Sequence, residues 1–195
     1  MSEKLYEISR IDRLAKQLAA NDISPEITAK ILEGAEKITR SSKSEKHVEW
    51  FCGAMTRMDA LLDIETQKAV REGCACCLGG KRDKIAKAIV KENETLEDRI
   101  KAANEAHYVF GHSMKMADGK VIVQFFSEGL ESYRCPCMPQ AQQHPMPISY
   151  CFCCGGHVKH HLQNALGRKL DCTVLHTARS SGGKEPCTFS FEIIN

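Results

Sequence analysis

The sequence predicts an α+β protein, with a helical N-terminal half and an antiparallel sheet crossed by one helix towards the C-terminus. Three observations predict it. Apolar residues recur at spacings of three and four through the first hundred residues. From about residue 107 the period shortens and a hairpin dipeptide, Asp118-Gly119, falls between two apolar runs. A last helical stripe then sits between that hairpin and two terminal β-like runs, an order that belongs to α+β rather than α/β architecture. The expected division is 1–105, helical and carrying a cysteine knuckle, and 106–195, sheet plus helix and carrying a ligand or metal site.

Each element has its own warrant. Leu5, Ile8, Ile11, Leu14, Ala15 and Leu18 form one helix face, which Asn21-Asp22 ends. Ser24-Pro25-Glu26 reads as an N-cap, a proline at the first helical position and an early acid. The stripe Ile27, Ile31, Leu32, Ala35 and Ile38 follows. Residues 40–46, "RSSKSEK", are a polar linker. A third helix carries Val48, Phe51, Cys52, Met55 and Leu62, and a fourth runs over about 64–73. After Gly79-Gly80 a helix turns Ile85, Ala86, Ile89 and Val90 inward. Thr95 with Asp98 makes a capping box for the next, with Leu96, Ile100 and Ala103 inward. Residues 107–134 predict three antiparallel strands, turning at Asp118-Gly119 and at Glu128-Gly129. Residues 140–147 are a loop. Val158, Leu162, Ala165 and Leu166 mark the late helix, and Gly167 closes it. Strands over about 169–179 and 186–194 finish the chain.

Composition narrows the function classes. The chain has 195 residues, 43% hydrophobic and 27% charged, with a net charge of +2 and 6% aromatics. That balance argues against nucleic acid as a partner, since neither a basic field nor stacking platforms are present. Residues 1–22 lack the apolar run of a secretory signal, and no run approaches 18 apolar residues. The expectation is a cytoplasmic protein without a membrane span. A homodimer is compatible with the sequence.

Eleven cysteines are the outstanding feature. In a reducing compartment, clustered thiols point to metal or catalysis rather than to a disulfide framework. Two phrases nearly repeat: "CACCLGG" at 74–80 and "CFCCGG" at 151–156. They contribute Cys74, Cys76, Cys77, Cys151, Cys153 and Cys154, and "RCPCMP" adds Cys135 and Cys137. Cys74/Cys77 and Cys151/Cys154 have the C-x-x-C spacing of zinc and iron-sulfur knuckles. Glycines after each knuckle are expected to let backbone amides approach the sulfurs, with a helix start just beyond stabilising thiolate. The eight thiols would supply one centre or two, holding zinc or an iron-sulfur cluster. Cys52, Cys172 and Cys187 stand in apolar patterns and read as small buried hydrophobes.

His157, His160 and His161 share one helix, and the i, i+4 pair His157 and His161 offers a ligand pair or a general base. Softness favours the thiolates as direct ligands. His112, after a turn glycine, is an outlying candidate. The leading function is a metal-binding protein with a small-molecule pocket. A second is a metal-dependent hydrolase or thiol enzyme on a small ring substrate, with His157 or His161 as base and Cys76 or Cys153 as nucleophile. A third is a thiol redox or soft-metal-handling protein working through the vicinal pairs Cys76-Cys77 and Cys153-Cys154.

The segment "SYCFCCGGHVKHHLQNALGRKLDCTVLHTARSSGGKEPCTFSFEI" resembles the closing part of the 4-vinyl reductase type of small-molecule-binding domain. Cys151 and Cys154 fall at that family's knuckle, Gly156 in its helix, Gly167 at its turn, and Cys187 with Phe189 at its end. Where the family usually carries another cysteine, this chain has "LHTARSS". The resemblance covers roughly residues 105–195. It implies an α+β ligand-binding sandwich related to haem-NO-binding and vesicle-transport-particle domains, with a pocket between helices and sheet, small hydrophobic ligands and cysteine-bound metal. With "CACCLGGKR" included, the whole chain is similar to an uncharacterised cysteine-rich family of anaerobic bacteria and archaea. A more distant similarity is to L-2-amino-thiazoline-4-carboxylic acid hydrolase-like proteins.

Overall fold

The computed structural model describes residues 4–140 and 144–194. The fold is α+β. Helices α1 (Ser9–Ala20), α2 (Pro25–Ile31), α3 (Ser44–Leu61), α4 (Ile64–Gly73), α5 (Gly80–Glu92), α6 (Leu96–Glu105) and the single turn α7 (His107–Phe110) come first. The hairpin β1 (Ser113–Ala117) and β2 (Lys120–Gln124) follows, then α8 (Phe152–Leu166), β3 (Lys169–His176) and β4 (Thr188–Ile194). The sheet is antiparallel in the order β1-β2-β4-β3.

The caps read from the sequence are made. Ser24 Oγ accepts from Ile27 N at 3.3 Å, and Thr95 Oγ1 accepts from Asp98 N at 3.1 Å. Asp118 and Gly119 both take left-handed φ, 50° and 74°, the backbone of a two-residue hairpin turn. The stripe from Ile27 to Ile38 is not one helix, however. It breaks after Ile31, with Gly34 at φ 74°, and resumes as a 3-10 turn over Ala35–Lys37.

Two further expectations are corrected. Residues 107–110 form a helical turn, so the first strand starts at Ser113. The third strand of the 107–134 segment does not exist. The turn at Gly129 is there, with φ 80°, but β4 already occupies the free edge of β2. With that edge of β2 taken, the segment leaves the sheet, and Tyr133 N bonds Gly183 O at 2.8 Å instead. β3 likewise ends at His176 rather than near 179. Part of the predicted 140–147 loop lies outside the described residues.

Two hydrophobic cores result. The first gathers α1 to α4 around Leu14, Ile31, Phe51 and Met55, and takes in Tyr150 and Cys151 from the turn before α8. The second packs α5, α6 and α8 on the sheet around Ala86, Val158, Leu162, Phe189 and Phe191. α8 touches both, because it crosses α4 and lies along α5 and β3. Its early glycines permit the crossing. A Cβ on Gly156 would stand 2.7 Å from Glu72 Cα and O on α4. Among the described residues, no helix is long and apolar enough to cross a membrane.

Candidate metal centre

Between the two cores lies a cavity of about 590 Å³. Six of the eight clustered cysteines line it: Cys74, Cys76, Cys77, Cys137, Cys153 and Cys154. They come from three segments far apart in the chain, and the fold delivers each differently. Cys74 caps the C-terminus of α4. Cys76 and Cys77 lie on the exposed loop between α4 and α5. Cys137 is in the irregular segment after the hairpin, and Cys153 and Cys154 occupy the first turn of α8. The second phrase is therefore not a loop knuckle followed by a helix. Its last two cysteines are inside the helix, where the N-terminal dipole favours thiolate.

The remaining two thiols turn away. Cys151 is buried with Sγ 3.1 Å from Thr177 Oγ1, and burial raises its pKa well above the usual thiol range. Cys135 is buried and accepts from Met138 N at 3.4 Å. Neither lines the cavity. Cys172 and Cys187 are buried in the sheet-side core, each pushed up to about 12 by burial.

The double glycines do not bring amides to the sulfurs as expected. Gly155 and Gly156 are packing residues on α8, the first against Cys172 and Val174, the second against α4. Gly79 and Gly80 meet nothing within 4 Å of a built Cβ, and Gly80 takes φ 69° to turn the chain into α5.

The thiols interact directly. Cys137 Sγ and Cys154 Sγ are 3.3 Å apart. Hydrogen bonding from Cys154 pulls Cys153 down to about 6, helped by Arg71 and Arg10, and pulls Cys137 down as well. Cys154, the shared partner of both, is pushed well up, first by its contact with Cys137. Burial raises Cys74 and Cys76. Among the described residues no three thiols form a set with every sulfur within 4.8 Å of the others; the one such trio of donor groups is Asp83, His160 and His161. In that trio Asp83 is paired with Lys87 at 2.8 Å, and the histidines are occupied as follows.

The three histidines of α8 hold the first cysteine loop by its backbone. His157 Nδ1 donates to Cys76 O at 2.7 Å, His161 Nε2 to Cys77 O at 3.1 Å, and His160 Nε2 to Leu78 O at 3.1 Å. Three successive carbonyls thus meet three donors on one helix face. The loop needs the restraint, since Cys77 sits at φ 60°, a strained position for a side chain with a Cβ. His157 also lines the cavity, and burial drops its pKa to about 4. His161 is fully buried behind the loop. His112 stacks on His107, with ring centroids 6.1 Å apart, and does not line the cavity.

Four arginines complete the wall: Arg10, Arg13, Arg71 and Arg82. Arg71 is buried and donates to Ser149 O at 3.4 Å and Tyr150 O at 2.6 Å. Burial opposes its charge, but Cys153, Cys74 and Tyr150 outweigh that and raise its pKa. Arg10 reaches the Tyr150 hydroxyl at 3.4 Å, and Arg13 donates to Cys74 O at 3.1 Å. Among the described residues, none of the four has a carboxylate within 4.0 Å, and no Asp or Glu lines the cavity. The signal for them was weak: single arginines on amphipathic helices look like solvated charges until the helices are packed.

No curated protein matches the chain. A family profile does, over residues 8–192, from the start of α1 to β4. The matched span holds all eleven cysteines and every arginine and histidine of the cavity, so the protein belongs to DUF6144, a family of unknown function.

Proposed function

We propose that this protein binds an iron-sulfur cluster on the thiol wall of the cavity, beside space for a small molecule. The observation that carries the reading is the convergence of six thiols from three separate segments on one cavity. Packing alone does not call for it, since exposed cysteines on a strained loop bury nothing. The arginines fit the same reading. A cluster ligated by thiolates is anionic, and Arg10, Arg13 and Arg71 supply positive charge that no carboxylate neutralises. Arg71 in particular is a buried cation whose charge is favoured by Cys153 and Cys74.

The spread of the sulfurs favours a cluster over a single zinc ion. Four sulfurs each about 2.3 Å from zinc stand about 3.8 Å apart. Cys137 Sγ and Cys154 Sγ come that close, at 3.3 Å, but among the described residues no thiol trio gathers within 4.8 Å. A multi-iron cluster takes ligands from further apart. The resemblance to the 4-vinyl reductase type domain is consistent with cysteine-bound metal next to a ligand pocket.

The test is anaerobic purification followed by absorbance and by iron, sulfide and zinc analysis. The expected result is a brown protein with a broad band at about 400 nm and matched iron and sulfide. Colourless protein with stoichiometric zinc would replace the cluster with zinc. Eleven freely titrating thiols and no metal would instead favour thiol redox chemistry.

A further inference from the structure

Six thiols line the cavity, and an apolar part of its lining has no role beside them. That apolar wall belongs to the sheet-side core. Val109 is buried there, Phe125 and Phe126 pack on the same core, and Tyr108 stands at the rim, 58% exposed. Gly111 brings the wall close. At φ 97° a Cβ would lie 2.7 Å from Phe125 Cδ1 and 2.9 Å from Gln124 O, so a larger residue would displace the ring.

Arg82 joins this wall from α5. Its guanidinium lies 4.3 Å from the Tyr108 ring centroid, and Nε donates to Tyr108 O at 3.4 Å. These contacts use one face and one N–H. The terminal N–H groups have no partner among the described residues, and no carboxylate lies within 4.0 Å. A guanidinium held over a ring, with unpaired terminal N–H groups on a residue that lines a cavity, is suited to a planar two-oxygen anion.

We propose that this end of the cavity binds small organic carboxylates with an apolar, planar body. Arg82 takes the carboxylate, and Val109, Phe125 and Phe126 take the body. The proposal rests on the reading of this cavity as a ligand site, with the metal held at its thiols. Its volume, about 590 Å³, lies within the range of pockets that enclose such molecules. The two features select jointly. An inorganic oxyanion satisfies Arg82 but leaves the aromatic wall without a partner. A neutral hydrocarbon covers the wall but desolvates an unpaired cation.

The probes are benzoate, benzamide and inorganic sulfate, titrated anaerobically into the full chain as purified and followed by ligand-observed NMR. Benzoate and benzamide have nearly the same shape and differ by one charge. Benzoate is expected to bind saturably, benzamide to bind at least about tenfold more weakly, and sulfate not to displace benzoate. Arg82→Gln is expected to weaken benzoate by about tenfold or more while iron and sulfide content stay at the wild-type level. Lys81→Gln is the control, because Lys81 lies 5.6 Å from the same ring but does not line the cavity. Equal binding of benzamide, absence of saturable benzoate binding, or full benzoate affinity in Arg82→Gln would overturn the proposal. Metal-free protein that binds benzoate through Arg82 would remove the cluster and leave the carboxylate site standing.

Discussion

Cys77 joins two facts that would be unrelated in an inert loop: a left-handed backbone and a thiol facing a cavity. Left-handed backbone costs a residue with a Cβ about 1–2 kcal/mol, and glycine escapes that cost while adding about 0.5–1 kcal/mol of unfolded-state entropy. Cys77→Gly should therefore leave the metal-free melting temperature close to wild type and sharply reduce bound iron. Cys77→Ser should lose iron to a similar degree and keep the strain. Wild-type iron in both variants would remove Cys77 from the ligand set. The histidines give a companion prediction. If they act through the loop carbonyls, His161→Ala should lower iron content, and His161→Gln, whose amide nitrogen reaches much as Nε2 does, should restore part of it. Failure of both alike would point to the ring itself as the functional group. The cluster of histidines on one face of α8 was legible from spacing. Their task was not, because the partners are carbonyls some 80 residues away and carbonyls carry no sequence signature.

Helices and loops reveal a different limit. The two Cys-x-Cys-Cys-containing phrases look alike, yet one is a loop and the other opens a helix, and their glycines are not equivalent. Gly156 is the point where α8 crosses α4, and adding a methyl there means moving backbone rather than a flexible side chain. Gly156→Ala should cost at least about 1–3 kcal/mol of overpacking and, by separating Arg71 and Cys74 on α4 from Cys153 and Cys154 on α8, should also lower iron content. Gly79→Ala meets open space and should change neither; thermal melts with iron analysis check both. α1 offers a pH test. Asp12 pairs with Lys16 at 2.9 Å and accepts from Leu5 N at 2.6 Å and Tyr6 N at 3.2 Å, so its pKa is lowered, chiefly by Lys16. A carboxyl depressed in the folded state stabilises above its unfolded pKa of about 3.9 and loses that contribution as pH falls through the folded value. Asp12→Asn should melt below wild type at pH 7, with the gap closing under strong acid; a constant gap at all pH would assign the loss to geometry instead. Helices and caps were readable because period and capping chemistry are local. The absent third strand was not, because it depended on whether β4, sixty residues later, had already taken the edge of β2.

Across the whole molecule, two cores meet at one cavity, and the candidate ligands are divided between them. Cys74, Cys137 and Cys153 pack against the first core, and Cys154 against the second. The sequence singled out eight clustered cysteines but could not show that Cys135 and Cys151 would lie off the cavity, since C-x-C and C-x-x-C spacings constrain distance along the chain and not direction. A metal bound to sulfurs on both sides would tie the cores together, so binding free energy would appear as folding free energy. This predicts coupling between distant substitutions. Cys77→Ser and Cys154→Ser change little volume, and serine is a far poorer soft-metal ligand, so the metal contribution should dominate each loss. Each single variant should show reduced iron and a lowered melting temperature. The double variant should be little worse than either, because once the cluster is gone the second thiol has nothing left to hold. Cys172→Ser is the contrast: it lies in the second core away from the cavity, and should cost about 1–3 kcal/mol for a buried hydroxyl with iron content unchanged. If the two cavity substitutions instead add fully, or both variants keep wild-type iron, the two cysteine phrases serve separate ends, and the cavity between the cores is held by packing rather than by metal.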